Sequence, residues 1–573
     1  MNFTEKIAYW ISKCKYCEEM SYEDILAVTE VPADAEMGDY AFPCFRLAKI
    51  KKKPPKIIAE ELTEFLNEQK AVFIDGITPV NGYVNLFINR VHYAEEILRD
   101  VLTKKEMYGS SDIGVGKTVI VEYSSPNVAK HFQMGHLGTT FIGRVLYNLY
   151  NELGYKTVGI NHLGDWGTQF GKLIVAYKKW GSKEDVEARG IDALTEMYVK
   201  FHEEADKDPA LNDEARAWML NMQKGETEAL SLWKWFCDLS MREYMETYGR
   251  LGVRFDLYRG ESYYNDKMDA VVEEIREKGL LTESSGAMIV DLSVYDMPPC
   301  LILRSDGGTL YPTRDIAAAI DRHKTFNFDK CLIVTAADQS LHFAQWIKVV
   351  SLMGYEWADD IVHIPYGLMS FEWGKMSTRK GHVIKMVDVL NEAVEKTKKI
   401  IEEKNPELPD KDAVAEMVGL GAVVFAQLYN NRIKDTTFTW ERYLNFDGET
   451  GPYLQYTYVR TYSVLEKAGV ENADCSCAVV DYSKLGDAYS FEIIRRIEDF
   501  PVKIQEAAEK YEPYIVSRYL IALAQAFNKF YHENPIIVED EKLKMARLAL
   551  TYAVKVILGK GLGILGIATP VKM

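Results

Sequence analysis

Apolar residues from position 118 onward change their period in a telling order. TVIVEYS (118–124) begins as an almost unbroken apolar run, which predicts a strand buried on both faces. Leu137, Phe141, Ile142, Val145, Leu146, Leu149, Tyr150 and Leu153 then recur at intervals of three and four and stop at Gly154, the pattern of an amphipathic helix. YKTVGINHLG (155–164) supplies a second strand, so this stretch reads as a strand–helix–strand unit of a doubly wound sheet. A mostly helical insertion is predicted over about 180–300. The sheet is then predicted to resume with CLILR (300–304), CLIVTAAD (331–338) and IVHIPYGLM (361–369).

The flanks read differently. Residues 1–107 mix helical patterns with short strands such as YVNLFIN (83–89), which predicts a small α+β domain, and YGSSDIGVGK (108–117) reads as a linker. Beyond about 405 the pattern is helical. Ile493, Ile494, Ile497, Phe500 and Ile504 form one apolar face and SRYLIALAQAFNKFY (517–531) another, so residues 401–573 are predicted to be an all-α bundle. The fold class is α/β: a Rossmann-like central domain over 108–400 between these two neighbours.

Composition narrows the class. A chain of 573 residues exceeds one ordinary core, and 47% hydrophobic residues suffice for several. No run of 18 apolar residues predicts a membrane span, and the acid-containing N-terminus does not resemble a signal peptide, so a soluble cytoplasmic protein is expected. Eight cysteines are too few for a disulfide scaffold. The close pairs Cys14/Cys17 and Cys475/Cys477 read as free thiols, and no metal site is expected. A net charge of −17 argues against indiscriminate nucleic-acid binding, yet Arg46, Lys49, Lys51, Lys52, Lys53 and Lys56 fall within eleven residues free of acids. Gly116-Lys117-Thr118 imitates the end of a phosphate-binding loop. Ser111 stands where that motif needs glycine, and the segment precedes a strand, so the match is rejected.

Two segments carry chemistry. SSPNVAKHFQMGHLG (124–138) places Asn127, Lys130, Gln133, Gly135 and His136 where a strand hands over to a helix. Unpaired N–H groups and the positive helix end suit an anion there, and Gly135 allows close approach. GKMSTRKG (374–381) follows another buried strand with Lys375, Arg379 and Lys380, a density of charge suited to pyrophosphate. A solvated basic turn is the plainer reading of the second segment taken alone.

Together the two segments resemble the paired signatures of class I aminoacyl-tRNA synthetases, and the chain as a whole is most similar to the arginyl family. The likeness rests also on NHLGDWGTQFGKL (161–173), YRGES (258–262), YPTRDIA (311–317), FDGETGPYLQYTYVR (446–460) and the ending LGIATPVKM. The resemblance implies that L-arginine is activated by ATP and transferred to the terminal ribose of tRNA-Arg, with Mg²⁺ on the phosphates. It implies that Tyr311, Asp315 and Glu261 read the guanidinium, while Glu122, Asn127 and Gln339 hold the α-amino end. Lys130, Gln133, His136 and Lys375 are implied as the catalytic set, and Gly135, Met369, Met376 and Ser377 join them at ATP. Lys51, Lys52 and Lys53, with Tyr453, Tyr456 and Arg460, are the implied tRNA contacts, and a monomer is expected.

The signatures are imperfect. Gln133 replaces the first histidine of HIGH, Gly138 stands where the family commonly has arginine, and Thr378 replaces the second lysine of KMSKS. Lys130 is similar to the family lysine that takes over that last charge, and His131 is a possible substitute for the missing imidazole. These departures leave a non-catalytic tRNA-binding relative as the alternative reading.

Overall fold

The computed structural model describes residues 2–305, 307–371, 385–446, 448–470 and 480–573. The chain forms two compact units, one of Met1–Tyr108, Arg460–Pro501 and Ala522–Ile557, the other of Gly109–Val459, Val502–Ile521 and Leu558–Met573. The boundaries fall inside each of the four long C-terminal helices, Gly451–Lys467, Ala488–Glu509, Tyr514–Glu533 and Glu541–Leu565.

In the first unit β1 (Tyr40–Pro43), β2 (Ile74–Val80) and β3 (Tyr83–Ile88) make an antiparallel sheet in the order β1-β3-β2. Glu498 ties this part of the chain together from inside. It accepts from Phe3 N–H and, at 2.5 Å, from the Tyr93 hydroxyl. Glu541–Leu565 is long and apolar enough to cross a membrane, but 67% of its most apolar window is buried in the fold, as in a core helix.

The second unit is built on a parallel sheet. Its strands are β4 (Thr118–Glu122), β5 (Lys156–Asn161), β6 (Leu257–Tyr258), β10 (Lys330–Ala336) and β11 (Ile361–Tyr366), in the order β11-β10-β4-β5-β6. The chain moves outward from β4 through β5 to β6, then returns to the other side of β4. The switch point therefore lies between β4 and β10, where open α/β sheets bind ligands at their carboxyl ends. Val119, Ile120, Val121, Leu332, Ile333 and Val334 are all buried, as the unbroken apolar runs predict.

One predicted strand is misplaced. CLILR does not rejoin the parallel sheet. β9 (Cys300–Leu303) pairs antiparallel with β8 (Ala287–Val290), which pairs with β7 (Leu281–Ser284). Its burial alternates, with Cys300 and Ile302 inside and Leu301 40% exposed, which suits a sheet covered on one face. The place taken from it belongs to β6, two residues long. A short parallel pair, β12 (Met369–Phe371) with β13 (Thr436–Phe438), completes the strands among the described residues. The stretch expected to be a linker is structured: Ser111 N–H donates to Glu152 O and Gly114 N–H to Leu153 O, each at 2.9 Å.

Candidate active site

The loop leaving β4 turns by placing Ser124, Ser125 and Ala129 in the left-handed region, at φ of 69°, 46° and 62°. Residues with a Cβ hold that conformation only when their surroundings compel it. Here the compulsion is a set of hydrogen bonds. Thr139 Oγ1 accepts from Ser124 N–H at 2.9 Å, and the Ser124 hydroxyl meets that of Tyr248 at 2.7 Å. Ser240 Oγ accepts from Ala129 N–H at 3.0 Å, and Tyr244 donates to the carbonyls of Asn127 and Lys130 at 2.8 and 2.6 Å. Ser240, Tyr244 and Tyr248 all come from one insertion helix, Thr227–Leu251, which grips the loop. Sequence reasoning missed them, since nothing marks them apart from other helix residues.

A short 3₁₀ turn, Met134–His136, leads into the helix Leu137–Glu152. Gln133 N–H donates to His136 Nδ1 at 3.1 Å, so the imidazole proton sits on Nε2. The ring stacks on Phe132, with centroids 5.1 Å apart. Burial, with Lys130 nearby, pushes His136 down to about 4, and burial lowers Lys130 as well. His136 is therefore a neutral donor at neutral pH. His131 does not replace the missing imidazole. It is buried, with Nδ1 3.1 Å from Glu243 and Nε2 3.0 Å from Asp192.

The chain on the far side of the second signature returns to the first. Lys385 pairs with Gln133 across an antiparallel bridge, Met386 N–H donates to Phe132 O at 2.8 Å, and Lys385 Nζ lies 2.6 Å from Asp192. Lys375, Met376 and Ser377 lie outside the described residues. Gly138 has a packing reason: a Cβ there would lie 2.5 Å from the ring of Tyr366, whose hydroxyl donates to Gly135 O at 3.3 Å.

The helix Tyr311–Phe326 collects the acidic residues singled out from sequence. Pro312 is the second residue of its first turn, and Tyr311 at its start is 62% exposed. Asp315, one turn on, accepts from His342 Nε2 at 2.6 Å. Glu261 faces Arg314 at 3.1 Å and is pushed up to about 7 by burial, against the pull of that guanidinium. Its loop is docked by Asp165, which accepts from Ser262 N–H at 2.8 Å and Ser262 Oγ at 2.6 Å. Glu122, at the end of β4, is buried and paired with Arg322 at 2.5 Å. Asn127 and Gln339 are exposed, in the turns after β4 and β10 on either side of the switch point. A Cβ on Gly164 would fall 2.2 Å from Asn127 Oδ1, so only glycine leaves that amide its place. Met369, half-buried, begins β12.

The basic run is less bare than its sequence. Lys51 lies 2.8 Å from Glu19, Lys53 2.7 Å from Glu61 and Arg46 2.7 Å from Asp24, while Lys52 is exposed at a left-handed helix end. Tyr456 is 42% exposed and Tyr453 half-buried. Arg460 donates to Asn528 and sits 5.0 Å over the ring of Tyr531.

Comparison with known proteins decides what this arrangement belongs to. The family model described as "tRNA synthetases class I (R), catalytic domain" matches residues 97–440. Those of the "Arginyl tRNA synthetase N terminal domain" and the "DALR anticodon binding domain" match 1–88 and 454–573. The chain belongs to the arginyl-tRNA synthetase family. It is 51% identical to the arginine–tRNA ligase of Halothermothrix orenii over 573 residues, covering 100% of both chains. With the ligase of Clostridioides difficile it shares 52% over 565 residues, 98% of this chain and 99% of that one. Among solved structures, Thermus thermophilus arginyl-tRNA synthetase matches with a TM-score of 0.81 at 26% identity over 100% of both chains. This synthetase is an arginine–tRNA ligase that uses ATP, and its likeness to ligases over the full length sets aside the non-catalytic alternative.

Proposed function

We propose that the turns at the β4/β10 switch point hold arginine and ATP for in-line attack, with each named residue in the following role. Asn127 and Gln339 bind the α-amino end, Glu122 fixes the end of β4 beneath them, and Tyr311, Asp315 and Glu261 take the guanidinium. The arginine carboxylate attacks the α-phosphorus, the bond to the bridging oxygen breaks, and pyrophosphate leaves. A terminal ribose hydroxyl of tRNA-Arg then attacks the arginyl carbonyl, and AMP leaves. No protein nucleophile takes part. Catalysis is positioning and stabilisation of phosphate charge by Lys130, by the Nε2–H of His136, by the amide of Gln133 and by Lys375, with Gly135, Met369, Met376 and Ser377 around the nucleotide.

What most supports this reading is the junction of the two signature segments through Gln133–Lys385 and Phe132–Met386, which brings Lys385, ten residues beyond Lys375, beside the Gln133–His136 turn. Among the described residues no three His, Cys, Asp or Glu side chains gather as a metal site. Mg²⁺ belongs in this scheme with the phosphates of ATP, which would carry it with at most one or two protein carboxylates. Residues 1–107 and 401–573 are the proposed tRNA-contacting parts, using Lys51, Lys52, Lys53, Tyr453, Tyr456 and Arg460. A cytoplasmic monomer is the proposed state. Arginine-dependent ATP–pyrophosphate exchange with and without tRNA-Arg tests the scheme. Exchange that survives Tyr311→Phe together with Asp315→Asn at unchanged arginine KM would remove the guanidinium assignment.

A further inference from the structure

We propose that His342 is a specificity-determining positioning residue: by donating from Nε2 to Asp315 Oδ2 it fixes the carboxylate in the orientation that reads the arginine guanidinium. The inference rests on the assignment of Asp315 to the guanidinium made above.

His342 belongs to the helix Ser340–Leu352, which starts just after Gln339, so it approaches Asp315 from a second element. The contact is 2.6 Å long, a short bond to a carboxylate, and both side chains are about a quarter exposed. An aspartate in the first turns of a helix has a broad terminal torsion and can turn toward solvent. The bond to His342 selects one plane. It engages Oδ2, while among the described residues Oδ1 accepts no hydrogen bond. Asp315 therefore presents Oδ1 as its open oxygen, near the carboxylate of Glu261, which is itself steadied by Arg314. A guanidinium is planar with donors in a fixed fork, so it is sensitive to acceptor direction in a way that a freely rotating ammonium is not. His342 gains a role in selecting arginine without touching the reacting atoms. It is a positioning residue.

The test is steady-state ATP–pyrophosphate exchange by the full-length enzyme with saturating tRNA-Arg. His342→Ala is expected to raise the arginine KM by about tenfold, with kcat and the ATP KM within about twofold of wild type. His342→Gln, which retains a donor amide, is expected to recover the arginine KM to within about threefold. In an Asp315→Asn background His342→Ala should add less than about twofold, because the two residues act as one unit. An unchanged arginine KM in His342→Ala, or fully additive effects in the double variant, would overturn the proposal. Equal loss in all three parameters with a lowered Tm would also overturn it, in favour of a structural role. If Asp315→Asn itself leaves the arginine KM intact, the guanidinium assignment is what fails, and the two failures are thereby distinguished.

Discussion

Replacing Gln133 measures what the missing imidazole of the first signature is worth. The main chain at this position is held independently of the side chain, by the N–H bond to His136 Nδ1 at 3.1 Å and by the bridge to Lys385. Gln133→Ala should therefore leave the main chain in place while removing the amide and the cap it offers to the backbone of His136. A hydrogen bond to a charged group contributes about 1.5–3 kcal/mol, or roughly 10- to 150-fold in rate if it acts only in the transition state. Gln133 is half-buried, so water can partly replace the amide and the lower end applies. Neighbouring side chains do not make up the loss, because His131 is held between Glu243 and Asp192. The expected result is a fall in kcat for exchange of about tenfold, with arginine KM within about twofold. Gln133→His should raise kcat by no more than about tenfold, the difference between a neutral amide and an imidazole that can share charge. An alanine variant with wild-type kcat would show the side chain to be idle. A loss carried by arginine KM alone would move Gln133 from the phosphate to the amino acid.

Three further outcomes follow from the site. Glu261, raised to about 7 when the pocket holds no substrate, should lose its proton when a guanidinium arrives. Arginine binding at pH 7 should then release about half a proton and strengthen as pH rises from 6 to 8, since only the ionised form attracts the ligand. Calorimetry in buffers of different ionisation enthalpy reads this, and proton uptake, or release that persists in Glu261→Gln, would contradict it. Gly164→Ala puts a methyl 2.2 Å from Asn127 Oδ1 and 3.2 Å from its Cα, so the amide must turn away. Strain of about 1–3 kcal/mol should appear mainly as a raised arginine KM, to which Asn127→Ala then adds little. Asp192→Asn removes the charge shared by Lys385 and His131. Asp192 is half exposed, so kcat should fall by no more than about fivefold, and a loss of a hundredfold would mean that the pair does more than anchor the chain after the second signature.

How much of this was legible in the sequence depends on whether the determining contact is local. β4, β5 and β10 are covered on both faces, so burial writes itself as an unbroken apolar run. The helix after β4 shows its stripe for the same reason. CLIL at β9 gives a similar run for a different sheet, because four apolar residues cannot record which partner covers them, and Leu301 is exposed despite its chemistry. Leu257–Tyr258 is too short to carry a period at all. The positions of Lys130, Gln133 and His136 followed from local motif order. Their supports did not: Ser240, Tyr244 and Tyr248 lie more than a hundred residues from the turn they hold. The lysine run looked bare because its acids, Glu19, Asp24 and Glu61, fall outside the eleven-residue window and meet it only in the fold.

The basic residues beside Glu122, Glu261 and Asp315 explain how the proposed guanidinium site can be stable before substrate arrives. Glu122 and Glu261 are largely withdrawn from water, where an unpaired carboxylate is costly to bury. Arg322 supports the first and Arg314 the second, both from the same helix that carries Tyr311 and Asp315, with His342 on Asp315 from the next helix. Each acid is thus held in place by a basic partner before substrate arrives. Glu122 is paired with Arg322 at the end of β4. Glu261, still raised to about 7 despite Arg314, is the one left underpaired. That residual deficit is what a substrate guanidinium can fill and a neutral side chain of the same length cannot. Under the proposed assignment, selectivity for charge resides in Glu261, and selectivity for shape in the fixed plane of Asp315.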